Sequence, residues 1–109
     1  MKVSELIEKL NLEILTSKDY ADRDVCGCYI GDLLSHVMGK ATCGDCWITI
    51  MNNINIVAVA SLTEAACIIL SEGVSADEKV IEKADGEEIV ILKSDKTAYQ
   101  LAVEISKIL

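Results

Sequence analysis

Apolar and polar positions alternate along the chain in two periods, and the switches between them mark the elements. Val3, Leu6, Ile7 and Leu10 recur at helical spacing with Ser4 placed as a cap, which predicts a short amphipathic helix. Leu12 to Leu15 is a first extended run, and Thr16 to Asp24, with Asp19, Asp22, Arg23 and Asp24, is polar and reads as a loop. Cys28-Tyr29-Ile30 is a strand ended by Gly31-Asp32. Leu33, Leu34, Val37 and Met38 then share one helical face, closed by Gly39 as a left-handed cap. Cys46 to Ile50 is a second strand, rich in branched and aromatic residues. Asn52-Asn53 marks a turn and cap, and Ile54 to Ala66, apolar almost all round, is long enough for a buried helix.

The last third repeats the alternation. Cys67 to Leu70 is a short apolar strand followed by Ser71-Glu72-Gly73. Ser75 with Glu78 has the capping-box spacing, ahead of a helix with Val80, Ile81 and Ala84 on one face and Asp85-Gly86 at its end. Ile89 to Leu92 is another strand. Asp95 or Thr97 caps a final helix whose Ala98, Leu101, Ala102, Ile105, Ile108 and Leu109 line one side. Strand starts at Cys26, Cys46, Cys67 and Ile89 recur at roughly twenty-residue intervals, as short parallel βαβ units do. The segments are not alike in sequence, so only the architecture repeats. The expected fold is a small three-layer α/β/α domain over residues 1–109, with a mostly parallel sheet of four to five strands.

Composition narrows the function more than it names it. The 109 residues are 51% hydrophobic and contain no low-complexity tract, which excludes disorder. Eighteen acidic against 10 basic residues give a net charge of −8, which argues against nucleic acid as a partner. No signal peptide is evident, and Ile54 to Leu70 is too polar to span a bilayer, so no membrane association and a cytoplasmic location are expected. Proline is absent, and turns must rely on Gly, Asn, Asp and Ser.

Ligands of open parallel sheets bind outside the carboxyl ends of the strands. That rule selects Gly31, Asp32 and Ser35, then Asn52 and Asn53, then Ser71, Glu72 and Gly73, then Ser94 and Thr97. Each group leads into a helix N-terminus, which suits an anion such as phosphate. Asp32, Asn53, Ser75 and Thr97 are equally suited to plain capping. Cys26, Cys28, Cys43 and Cys46 form C-x-C followed by C-x-x-C, a spacing open to zinc, an iron–sulfur cluster or redox chemistry. Against a metal, the second C-x-x-C of a tetrahedral knuckle is missing, and Cys26 and Cys28 fall in a strand expected to be buried. Cys67 reads as core. His36 has no nucleophile tied to it, and Trp47 opens a core strand. No G-x-x-x-x-G-K-[ST], Ser-His-Asp or H-E-x-x-H arrangement is present, so neither an enzyme nor a cofactor is expected.

Gly27 to Ser35, Val37-Met38, Trp47 to Thr49, Asn55 to Ala60 and Ile68 to Gly73 together make the chain resemble the DRTGG-domain family over nearly its whole length. Related domains form the N-terminal part of HPr kinase/phosphorylase and the middle of some phosphotransacetylases, and accompany CBS domains elsewhere. The resemblance implies a regulatory or assembly module whose chemistry lies in other domains. It departs at the name-giving residues: Asn52-Asn53 stand for Asp-Arg, and Ser71-Glu72-Gly73 for Thr-Gly-Gly. The acidic Glu72 there would repel a phosphate. The resulting expectation is a non-catalytic homodimer that binds a small ligand or a protein. Its pairing surface is expected among Val57, Ala58, Ser61 and Leu62.

Overall fold

The computed structural model describes all 109 residues as five strands and five helices. In chain order these are α1 (Val3–Leu10), β1 (Glu13–Ile14), β2 (Gly27–Ile30), α2 (Leu34–Lys40), β3 (Asp45–Thr49), α3 (Asn55–Thr63), β4 (Cys67–Leu70), α4 (Glu78–Gly86), β5 (Ile91–Lys93) and α5 (Ala98–Ser106). The sheet order is β1-β5-β4-β3-β2. Strands β2 to β5 are mutually parallel, and only β1 runs antiparallel, against β5.

Period-two alternation sends neighbouring strand residues to opposite faces, and each face has its own core. Cys46, Ile48, Cys67, Ile69 and Leu92 meet Val3, Leu6 and Leu10 of α1 and Leu101 and Ile105 of α5. Trp47, Ile68, Leu70 and Ile91 meet Val37 of α2, Ile56, Val57, Val59 and Ala60 of α3, and Val80 and Ala84 of α4. The three layers expected from the apolar runs are therefore present. Full burial on both faces explains why β4 is continuously apolar and why β3 is so from Cys46 to Ile48, between its buried polar ends Asp45 and Thr49.

Several local expectations change. Ser4 does not cap α1; Lys2 holds the cap position, and the Ser4 amide and hydroxyl both donate to Asp22, at 2.8 and 2.7 Å. Asp22, from the loop, thus caps the helix from outside it. Gly39 lies within α2, which ends at Ala41 with extended backbone. The cap of α4 is Asp77, whose carboxylate accepts from the Val80 amide, and not Ser75. Thr97 does cap α5, in a reciprocal box with Gln100. The surplus apolar character of α3 is largely absorbed within the chain. Val57 is fully buried, and only Leu62 among its large residues is exposed, so Val57 is unavailable to any pairing surface.

Candidate functional site

The connections from β2, β3 and β4 run to α2, α3 and α4, all on one face of the sheet, whereas β5 leads to α5 on the other. Neighbouring strands β4 and β5 therefore send the chain to opposite faces. That divergence is where open α/β sheets form their ligand crevice. The residues that flank it are Ser71, Glu72 and Gly73 after β4, and Ser94 to Thr97 after β5.

In this chain the crevice is laced shut. The Glu72 amide donates to the Lys96 carbonyl and the Gly73 amide to the Ser94 carbonyl, both at 2.8 Å, while the Ser94 amide donates to Leu70 at 2.9 Å. The Ser71 amide reaches the Thr49 carbonyl, and the Val74 amide turns back to Ser71. Four successive N–H groups that would cradle an anion are thus already paired. Glu72 and Gly73 both have left-handed backbone, φ 57° and 74°. The backbone conformation favours glycine at 73, and a Cβ there would also stand 3.1 Å from a carboxylate oxygen of the exposed Asp95, which would have to shift slightly.

The other loops are joined in the same manner. Asp32 is not a cap of α2: its Oδ1 accepts from the Thr49 hydroxyl at 2.7 Å and the Ile50 amide at 3.0 Å. The Thr49 hydroxyl in turn accepts from the Met51 amide. The Asn52 amide group donates to the Ser75 carbonyl at 2.8 Å, and Asn53 accepts from the Asn55 amide. Gly31 accepts from the Trp47 indole N–H at 2.9 Å, and its own amide donates to Ile48. Ser35 makes no such link and is exposed in the first turn of α2. Seven of the ten candidate residues (Gly31, Asp32, Asn52, Ser71, Glu72, Gly73 and Ser94) therefore have polar groups that tie one loop or strand to another, whereas Asn53 and Thr97 bond only within the starts of their own helices. Thr49, buried at the centre of this network, was not singled out by sequence, because a Thr at the end of a strand carries no motif.

Room for a ligand lies beside the rim. A cleft of about 500 Å³ opens between the α1–β1 turn and the end of β5, lined by Leu10, Asn11, Leu12, Glu13 and Lys93 to Lys96. Its lysines and acids alternate in sign, and Lys96 is already paired with Glu104 at 2.7 Å. A second cleft of about 550 Å³, lined by Asp19, Asp85 and Glu88 among others, lies at the opposite end of β5.

The cysteines regroup. Cys26 and Cys43 are exposed, contrary to the burial expected of Cys26, and Cys26 precedes β2. Cys28, Cys46 and Cys67 instead stand in register across β2, β3 and β4. The C-x-C and C-x-x-C pairs are thereby split, and no three His, Cys, Asp or Glu side chains are arranged to hold a metal ion. Cys67 was expected in the core and is there, its thiol pushed up to about 12 by burial and then by the neighbouring Cys28 charge. His36 lies exposed on α2.

Exposed apolar side chains concentrate at the carboxyl ends of β2 and β3. Ile30, Leu33, Ile50 and Ile54 lie on or beside the two loops that Asp32 ties together, with Leu33 65% exposed. No helix is long and apolar enough to cross a membrane.

Comparison with known proteins bears on the fold and the family. No curated protein sequence matches the chain. Among solved structures, the CBS and DRTGG domains of the regulatory region of Clostridium perfringens pyrophosphatase, complexed with the activator diadenosine tetraphosphate, superimpose with a TM-score of 0.72 at 13% identity. The match covers 94% of this chain and 45% of the other, so the chain spans about half the length of that relative and shares its fold. The DRTGG domain model matches residues 5–108, and the chain belongs to the DRTGG domain family.

Proposed function

We propose that residues 1–109 form one non-catalytic regulatory unit that pairs with a second copy of itself and responds to a small ligand or a protein partner. The observation that carries this reading is a closed crevice beside an open apolar patch. The paired amides of Glu72 and Gly73 leave the switch point little to offer an anion, while Ile30, Leu33, Ile50 and Ile54 expose apolar surface next to it. Strand β2 is also an edge, with no neighbour beyond it, and uncovered edges invite pairing. Twofold association is the commonest way to cover such a surface. On α3, Val57 is buried but Ala58, Ser61 and Leu62 stay exposed, so that helix offers a second, less apolar surface for pairing.

Two facts support the regulatory part. The pyrophosphatase relative carries its DRTGG domain in a regulatory region bound to an activator. This chain has no P-loop lysine or nucleophile–base pair that would supply catalysis of its own. The cleft between Asn11 and Lys96 is the place at the rim with room for a small ligand. The net charge of −8 disfavours nucleic acid, and a cytoplasmic setting suits five free thiols.

Light scattering at micromolar concentration tests the reading. The expected mass is twice the 11.8 kDa of one chain, falling to one chain when Leu33 and Ile54 are replaced by Asp. A monomeric parent protein overturns the pairing. Calorimetric titration with diadenosine tetraphosphate tests the ligand part separately. Binding that is weakened by Lys93→Glu supports the cleft, and binding unaffected by that change removes it.

A further inference from the structure

Three adjacent strands place a cysteine at the same level: Cys28 pairs in register with Cys46, and Cys46 with Cys67. All three side chains face the α1 and α5 side of the sheet. Access is graded along the row. Cys67 and Cys46 are fully buried, whereas Cys28, on the edge strand β2, is partly exposed. Neighbouring strands lie about 4.8 Å apart. A disulfide requires Cα atoms about 4.4–6.8 Å apart, so the Cys28–Cys46 pair is within bridging range. The Cys46–Cys67 pair is spaced alike, but solvent reaches neither member. Cys26 and Cys43 are exposed and lie outside the row.

We propose that Cys28 and Cys46 form a reactive dithiol that takes up oxidising equivalents from a low-molecular-weight disulfide at the β2 edge. In the first step the Cys28 thiolate attacks one sulfur of the small disulfide. A Cys28 mixed disulfide forms, and the small disulfide's S–S bond breaks to release one thiolate. In the second step the Cys46 sulfur attacks Cys28, its proton passes to the departing small thiolate, and the mixed disulfide breaks. The protein loses two electrons and two protons as two thiols become one disulfide, and the small disulfide is reduced to two thiols.

The electrostatics of the pair suit this order of events. A hydrogen bond from Cys46 holds the Cys28 thiol below its ordinary value, against burial and the Asp45 charge, and so favours the attacking thiolate. The same bond, followed by burial, raises the Cys46 thiol and keeps it protonated while Cys28 is free. Once Cys28 is masked as a mixed disulfide, its hydrogen bond and charge no longer raise Cys46, whose sulfur stands in register beside the new bond. The Cys28–Cys46 bond that follows ties the edge strand covalently to the centre of the sheet. Nothing in this chemistry depends on the regulatory reading.

The test uses the full chain carrying Cys26→Ser and Cys43→Ser, reduced and then exposed to oxidised glutathione at neutral pH. Peptide mapping is expected to find a Cys28–Cys46 disulfide, with no glutathione retained and Cys67 still a thiol. Adding Cys28→Ser is expected to slow thiol loss about tenfold or more. Adding Cys46→Ala instead is expected to stop the reaction at glutathione on Cys28. Glutathione retained on Cys28 while Cys46 is present, or both thiols untouched, overturns the proposal. Circular dichroism of each variant shows whether the sheet is intact. If Cys46→Ala fails to fold, the mapping of the Cys46-containing protein decides alone.

Discussion

The Asp32 carboxylate accepts the Thr49 hydroxyl at 2.7 Å, across the gap between the ends of β2 and β3. The same oxygen takes the Ile50 amide, and Thr49 is almost fully buried, so one exposed side chain satisfies two donors. Asp32→Ala leaves both without this acceptor and is expected to cost about 1–3 kcal/mol. Asp32→Asn keeps a carbonyl oxygen in place and is expected to cost less than half of that. Urea unfolding midpoints of the two variants check the order; equal losses would mean that the charge matters and the acceptor does not.

The closed crevice between β4 and β5 makes its two left-handed residues unequal. Gly73→Ala introduces a Cβ against Asp95 at φ 74° and is expected to destabilise by about 1–2 kcal/mol. Glu72→Gly removes the strain of a side chain at φ 57°, offset by the extra freedom of glycine in the unfolded chain, so little net loss is expected. Thermal unfolding of both variants under one buffer is the measurement. A larger loss for Glu72→Gly than for Gly73→Ala would contradict this account of the crevice.

Cys67 links stability to alkaline pH. Its thiol ionises at about 12 in the folded chain, against roughly 8.5 for an exposed thiol. Because the unfolded state releases its proton first, the Cys67 contribution is intact below the unfolded value and is lost as pH rises through that window. Folding stability of the reduced protein is expected to fall from about pH 9 upward. In Cys67→Ala the fall is expected to be shallower over the same range, whatever the cost of the substitution at neutral pH. Parallel slopes would show that Cys67 is not responsible.

Asp22 acts on α1 at the acid end of the scale. Hydrogen bonds from the Ser4 hydroxyl and amide hold its carboxyl below the ordinary value, so its contribution is present above the unfolded carboxyl range and is lost as pH falls through the folded one. The site is almost wholly exposed, and solvent keeps the effect small. Asp22→Ala removes a helix cap and is expected to cost about 0.5–2 kcal/mol. Ser4→Ala, which keeps the amide donor, should cost less. Amide exchange over Val3 to Leu6 is the direct check, and unchanged exchange in Asp22→Ala would discard the capping role.

The layered α/β arrangement was legible in the sequence because its signals are local. Apolar runs such as Cys67 to Leu70 state burial on both faces, and helical spacing such as Val3, Leu6 and Leu10 states one buried stripe. The carboxyl-end rule likewise assigns Asp32, Asn52, Glu72 and Ser94 to one edge from sequence alone. What those residues do there was decided by the tertiary structure. Whether Asp32 caps its own helix or reaches Thr49 depends on how far apart β2 and β3 end, a distance that no local pattern encodes. The cysteines show the same division. Spacing along the chain paired Cys26 with Cys28 and Cys43 with Cys46, but strand register aligned Cys28, Cys46 and Cys67. In a parallel sheet the register between strands is set by the packing of the crossover helices and not by the turn at a strand's end, so only the folded chain selects which cysteines become neighbours.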